Sequence, residues 1–251
     1  MDLFAFPPIA FILDLAYSGL VGLSTLLSPL TAASAALAVV LVTLLVRAAL
    51  IPTGISQAKA EQTRARLAPR LRELQKRWGK NPERLQRETM QLYRDENTSP
   101  FAGCLPILIQ APIVGVLYAI FLHPMIAGHP NALLTETLFG VPLGSSLAGT
   151  LAGGAMDASS ITVFGVLVLL IAGVGELTRR LLRPEPVPPV EGSSIPSIPI
   201  GLIGVLQFAT AVVAIFVPLA AGLYLLVTVA WTLGQRLVLR RVFPPTPRNA
   251  A

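Results

Sequence analysis

Cysteine is nearly absent from this 251-residue sequence, and charge is scarce. Cys104 is the only cysteine, which excludes an internal disulfide framework and a tetrathiolate metal site. The two histidines, His123 and His129, have no carboxylate or thiol cluster beside them, so no metal is expected there. No HExxH pair and no P-loop occurs, and neither histidine lies in an apolar run where an intramembrane serine protease would need one. Charged residues make up 13% of the chain, against about 25% in soluble domains. With 53% of residues hydrophobic, the composition is that of a polytopic membrane protein.

Basic residues are missing from two long stretches. The 19 are Arg47, eleven from Lys59 to Arg94, then Arg179, Arg180 and Arg183, and four from Arg236 to Arg248. None precedes Arg47, and none lies between Phe101 and Glu176. Lysine and arginine stay on the cytoplasmic side of a membrane. Residues 48–100, 183–197 and 236–251 therefore read as inside, and the N-terminus and 124–160 as outside. The start lacks the basic region of a secretory signal and a cysteine to lipidate, so the chain is expected to be mature as it stands.

In place of charge there are apolar runs. Leu30–Ile51 is 22 residues long. At ~1.5 Å per residue it spans roughly 33 Å, enough to cross a bilayer. Arg47 sits inside it. A membrane arginine costs about 2.5–3.5 kcal/mol on insertion scales, so it is either functional or reaching for the headgroups. The span alone leaves both readings open.

Residues 1–29 carry Asp14, Ser18, Thr25 and Ser28 on one helical stripe, which predicts an amphipathic helix lying in the membrane interface, with a sixth span as the alternative. The first span is 30–55. Residues 56–99 change character: Leu67, Leu71, Leu74 and Trp78 recur at helical spacing, Gly79-Lys80-Asn81-Pro82 breaks the run, and Leu85, Thr89 and Leu92 line a second helix. This predicts a cytoplasmic antiparallel helical hairpin whose first arm Pro69 starts or kinks. Its charges individually read as a solvated surface; together they favour an anionic neighbour, lipid headgroups or ribosomal RNA.

The second span, 100–123, contains Pro106 and Pro112. An extracytoplasmic loop (124–160), a third span (161–182) and a proline-rich cytoplasmic loop (183–197) follow. Residues 198–239 are too long for one span, so Pro218 divides a fourth (198–217) from a fifth (218–239), before a basic cytoplasmic tail (240–251). The expected fold is all-α, with five transmembrane helices.

Ser99-Pro100-Phe101-Ala102-Gly103-Cys104-Leu105-Pro106, followed by Gln110, Pro112 and Tyr118, closely resembles the pattern of the YidC/Oxa1/Alb3 membrane protein insertases. The segment 67–94 looks like that family's cytoplasmic hairpin, and Arg47 stands where the family places the arginine of its first core span. Pro218, Gly222, Tyr224 and Gln235 are in step with its last span. The resemblance covers roughly residues 30–241, in the short bacterial form without a large extracytoplasmic domain. It implies five helices around a hydrophilic groove, open to cytoplasm and lipid and closed toward the outside, in the bacterial plasma membrane. Nascent membrane proteins, delivered by the ribosome or the Sec translocon, pass through it into lipid without nucleotide hydrolysis. A monomer suffices, and no cofactor is implied.

In that groove the resemblance places Arg47, with Thr43, Gln110, Gln207, Thr210 and Tyr224. Each of the neutral residues Thr43, Gln110, Gln207 and Thr210 also has a structural reading, as an interhelical hydrogen bond. Arg77, Trp78, Lys80 and Arg84 at the hairpin tip are the expected partner-docking residues. The chain departs from the family at Leu225, where tryptophan is frequent, and at Val229, where asparagine is; both imply a less polar groove. A small transporter or channel for an anionic solute is the alternative function, but no internal repeat supports it. A structural assembly factor is separated from an insertase only by assay.

Overall fold

The computed structural model describes residues 7–96, 98, 105–126, 128–154, 156–182 and 208–242. Its helices are α1 (Pro7–Leu27), α2 (Ser34–Ala49), α3 (Ile51–Trp78), α4 (Pro82–Asp95), α5 (Leu105–Leu122), α6 (Leu147–Ala152), α7 (Ala158–Leu181), α8 (Ala209–Phe216) and α9 (Leu219–Val242). Between α5 and α6 lie two antiparallel ladders, β1 (Met125–Ile126) with β2 (His129–Pro130) and β3 (Thr137–Leu138) with β4 (Val141–Pro142).

The chain is mostly helical and membrane-embedded. α1, α7 and α9 are each long and apolar enough to cross a bilayer, and α2 with Ile51–Ala60 forms a fourth candidate bent by 53°. Of the five expected spans, the third and fifth correspond to α7 and α9. The second falls on α5, and the fourth has only the eight residues of α8 described. α1, expected in the interface, has a span's length and apolarity.

Local chemistry sets the helix ends. Pro52 lies in the first turn of α3, where a missing N–H is tolerated; it has no N–H to continue the ladder to the Ala48 carbonyl, and Leu50 leaves helical geometry (φ −88°, ψ 6°). The first apolar run therefore breaks at Leu50 instead of continuing to 55, and α3 begins at Ile51 instead of 56. Pro69 lies inside α3, which runs on through it, so it does not start that helix. Asn81 caps α4, its side chain accepting from the Arg84 N–H at 3.1 Å, with Pro82 at the first position. Glu96, just past α4, pairs with Arg66 at 2.7 Å and Arg70 at 2.6 Å on α3. α8 and α9 part at Val217-Pro218, as the sequence predicts.

Burial is polarised along the bundle. The core unites Leu13, Tyr17 and Leu20 of α1, Ala35, Ala36 and Val39 of α2, Leu117–Phe121 of α5, Phe164–Ile171 of α7 and Leu219–Tyr224 of α9. These are the halves of α2, α5, α7 and α9 nearest the 124–160 connection. The connection is itself part of the core: Ile126, Leu133, Val141 and Leu143 are buried in it. Its backbone also receives the first N–H groups of α9, Leu219 on the Ser145 carbonyl (2.8 Å) and Ala220 on that of Leu143 (3.0 Å). These donors have no partner within their own helix, so the connection acts as a cap for α9.

Candidate functional site

Arg47 lies in the last turn of α2, two turns beyond its packed half. Its side chain is half-buried, and among the described residues it has no ion-pair or hydrogen-bond partner. The residues around it on α2, Leu44, Leu45, Ala48 and Ala49, are exposed. Thr43, one turn before Arg47, is buried and Val46 packs on the core, so α2 keeps one packed face down to Arg47 while its opposite face is exposed.

One close approach fixes what stands opposite. A Cβ at Gly54 of α3 would collide with the side-chain amide of Gln235 on α9, so Gln235 lies against the Gly54 backbone. Arg47 precedes Gly54 by seven residues, and Thr228 precedes Gln235 by seven. α9 packs on both α2 and α3, and the chain turns by 53° between Arg47 and Gly54. Thr228, Trp231 and Gln235 share one helical stripe. The Thr228 hydroxyl and the Trp231 indole N–H are buried and have no hydrogen-bond partner among the described residues. The sequence reading missed both, since a threonine and a tryptophan barely interrupt an apolar run; their spacing from Gln235 was the available signal.

The other expected groove residues divide. Thr43 is 1% exposed and donates its hydroxyl to the Val39 carbonyl at 2.7 Å, which occupies it within its own helix. Tyr224 is buried in the packed half, its ring 6.3 Å from that of Phe121. Thr210 is half-buried in the first turn of α8, which packs against α6, α7 and α9. Gln110 lies on α5, but its side chain falls outside the described residues. Gln207 falls outside them as well, as do the 99–104 motif, the 183–197 loop and the tail beyond Val242.

At the turn between α3 and α4, the Trp78 ring is covered by the Arg84 guanidinium at 3.8 Å, with that of Arg77 at 5.3 Å. A cation over an indole face is attracted by the ring quadrupole, so these two arginines are partly held. Lys80 is exposed.

The connection end is tied to α1 by contacts across more than a hundred residues. Asp14 meets His129 at 3.0 Å, and the Tyr17 hydroxyl accepts from the Ala132 N–H at 3.0 Å and donates to the Pro130 carbonyl at 3.4 Å. Asn131, 4% exposed, donates its amide to the Ile120 and His123 carbonyls at 2.6 and 3.0 Å, closing the end of α5. Asp157 caps α7, and its carboxyl is held below the usual carboxylate range by hydrogen bonds from the Ser160 side chain and backbone N–H. At the opposite end, Glu176 pairs with Arg179 (2.7 Å) and Arg180 (2.5 Å), and Arg240 donates to the Leu181 carbonyl at 3.2 Å.

The chain is similar to proteins named membrane protein insertase YidC. It is 27% identical to the one from Streptomyces avermitilis over 230 residues, 86% of this chain and 53% of that protein. The relative from Paraburkholderia phytofirmans is 27% identical over 214 residues, 85% of this chain and 34% of its own length. A shorter segment of 81 residues is 46% identical to the Clostridium perfringens protein, covering 32% of this chain and 34% of that one. The chain thus spans between a third and about half of the length of these relatives. The pattern of the 60Kd inner membrane protein family matches residues 26–246, nearly the whole sequence. On that match, and on the helical, membrane-spanning fold around Arg47, the chain belongs to the 60Kd inner membrane protein (YidC/Oxa1) family.

Proposed function

We propose that the chain is a membrane protein insertase in which Arg47 receives acidic residues of an arriving segment. The observation that carries this reading is a half-buried cation that has no partner among the described residues, on a helix whose other half is tightly packed. A charged tail crossing dry hydrocarbon costs several kcal/mol per bare charge. A furrow open at one end shortens the dry path, and a fixed positive charge within it attracts a carboxylate. The segment then leaves sideways, because its own apolar surface favours lipid by about 25 cal/mol per Å². Nothing in this sequence of events requires a bond to be made or broken.

In this reading the packed end, with its acidic residues and no lysine or arginine, faces outward, and the basic end faces the cytoplasm. Five spans surround the furrow, the described α5 and α8 belonging to the second and fourth. α1 lies along the outer interface; support comes from Asp14, Tyr17 and Ser24, whose side-chain partners all belong to the connection or to the first residue of α2. α3 beyond the bend and α4 form a cytoplasmic hairpin, supported by the Arg66–Glu96 and Arg70–Glu96 pairs. Its tip, Arg77, Trp78, Lys80 and Arg84, docks the ribosome or the Sec translocon, and one copy of the chain is sufficient.

The test is insertion of a single-span substrate by the purified protein in liposomes. Protease protection of the substrate's outer tail is the expected result. A substrate held by the protein but wholly digestible would indicate a passive chaperone and overturn the proposal.

A further inference from the structure

We propose that the connection end of the molecule is anchored in the interfacial layer of a lipid bilayer by apolar turn residues, with Phe139 as the principal anchor. β3 and β4 are joined by a two-residue turn, Phe139-Gly140, in which both residues have positive φ, 51° and 84°. That is the type I′ pattern, normally filled by asparagine, aspartate or glycine because a bulky side chain is strained there. Here a phenylalanine occupies the strained position and is 79% exposed. Strain retained at an exposed aromatic points to a use for the ring outside the fold.

The tip is held at a defined level. Val141 and Leu143, just beyond it, are buried, and the backbone bonds from Leu219 and Ala220 fix the segment to the first turn of α9. β3 packs on α2 and β4 on α7, so the turn stands where membrane helices begin. Leu30, between α1 and α2, is 78% exposed, and Leu26 at the end of α1 and Leu151 on α6 are exposed as well. Turns at a water-facing surface ordinarily carry small polar residues; these carry leucine and phenylalanine.

Charge selects the occupant. With no lysine or arginine in 1–46 or 101–175, and with His129 held by Asp14, this end lacks the long basic side chains that hold a phosphate or an acidic protein. Apolar insertion among acyl chains, with an aromatic ring at headgroup depth, is the grip that its residues supply. The anchor requires only that the chain is a membrane protein, so it stands or falls apart from the insertase proposal.

The experiment places tryptophan at the tip, Phe139→Trp, in a Trp78→Phe background, and subtracts the signal of Trp78→Phe alone. The protein is reconstituted in vesicles of phosphatidylcholine and phosphatidylglycerol. Lipids brominated near the ester end of the acyl chains are expected to remove most of the added emission, while aqueous iodide leaves it. Leu30→Trp, on a different element, is expected to follow the same pattern. Quenching by iodide and not by lipid would place the tip in water. Protection from both would mean that protein covers it. Either result overturns the proposal.

Discussion

Replacing Arg47 by alanine separates a Coulombic role from a structural one. The guanidinium is half-buried, in the last turn of α2, and lacks a partner among the described residues. Its contribution to folding is then limited to the helix dipole and its stem, about 0.3–1 kcal/mol. On the insertase reading, its contribution to a bound carboxylate is larger. At about 5 Å and an effective dielectric between water and a protein surface, one charge pair contributes about 1–3 kcal/mol, or about 5- to 150-fold. Substrates identical except for an aspartate or an asparagine in the outer tail, inserted by reconstituted protein, measure the difference. Arg47→Ala should slow the acidic substrate by that factor and leave the neutral one within about twofold, since no Coulomb energy is lost with it. Arg47→Lys keeps the charge and should restore most of the rate, apart from any bidentate geometry. Rising salt should erode the wild-type preference for the acidic tail, to the extent that water reaches the site. Equal slowing of both substrates by Arg47→Ala would refute the electrostatic argument.

Three further outcomes test the packed end. A Cβ at Gly222 would lie 2.7 Å from Cδ2 of buried Leu167, so Gly222→Ala should destabilise by about 1–3 kcal/mol; paired with Leu167→Ala it should cost less than the two changes summed, in a thermal-unfolding cycle in detergent. Asn131→Ala leaves the Ile120 and His123 carbonyls at the end of α5 without their donor, and should cost about 1–3 kcal/mol and speed proteolysis of the 124–160 connection. Asp157 has a lowered pKa in the folded state, so its contribution is fully present above its unfolded pKa and is lost as pH falls through the folded value. Asp157→Asn keeps a capping oxygen but not the charge; the gap in melting temperature between wild type and variant should therefore close below about pH 4.

Where the sequence was legible, a local periodicity carried the information. α4 is legible in its asparagine cap and Pro82, the α8–α9 division in Pro218, and α7 in a long apolar run with arginines at its end. The bend at Leu50 was missed because Leu50 and Ile51 continue an apolar pattern; Pro52 was the sign that the helix could not run straight on. The connection was read as a simple link because its strands are two residues long, too short to show alternation, and glycines and prolines interrupt it throughout. Its partners on α1, His129 with Asp14 and Ala132 with Tyr17, lie 115 residues away, and nothing local marks such a pair.

The placement of Arg47 follows from the sizes of the residues on either side of it along the helices. The buried half of α2 contains Ala35, Ala36 and Ala38, and that of α9 contains Ala220, Ala221 and Gly222, with Ala211 and Ala214 on α8. Small side chains let membrane helices approach closely, and dispersion between the backbones then holds them together without a hydrophobic driving force. Beyond that half the small residues give way to Leu44, Leu45 and Arg47 on α2 and to Thr228 and Trp231 on α9, and burial on α2 falls. Close approach returns once, at Gly54 against Gln235, after the chain has turned at Leu50. Arg47 therefore lies between two tight contacts along the helices. On the insertase reading, the hollow is what remains when helices are pinned above and below a level whose alanines, Ala48, Ala49 and Ala230, are exposed instead of packed between helices. Replacing Trp231, whose indole is turned inward, by alanine should then let the helices close toward that level and impede insertion in the same liposome assay, although the residue carries no charge.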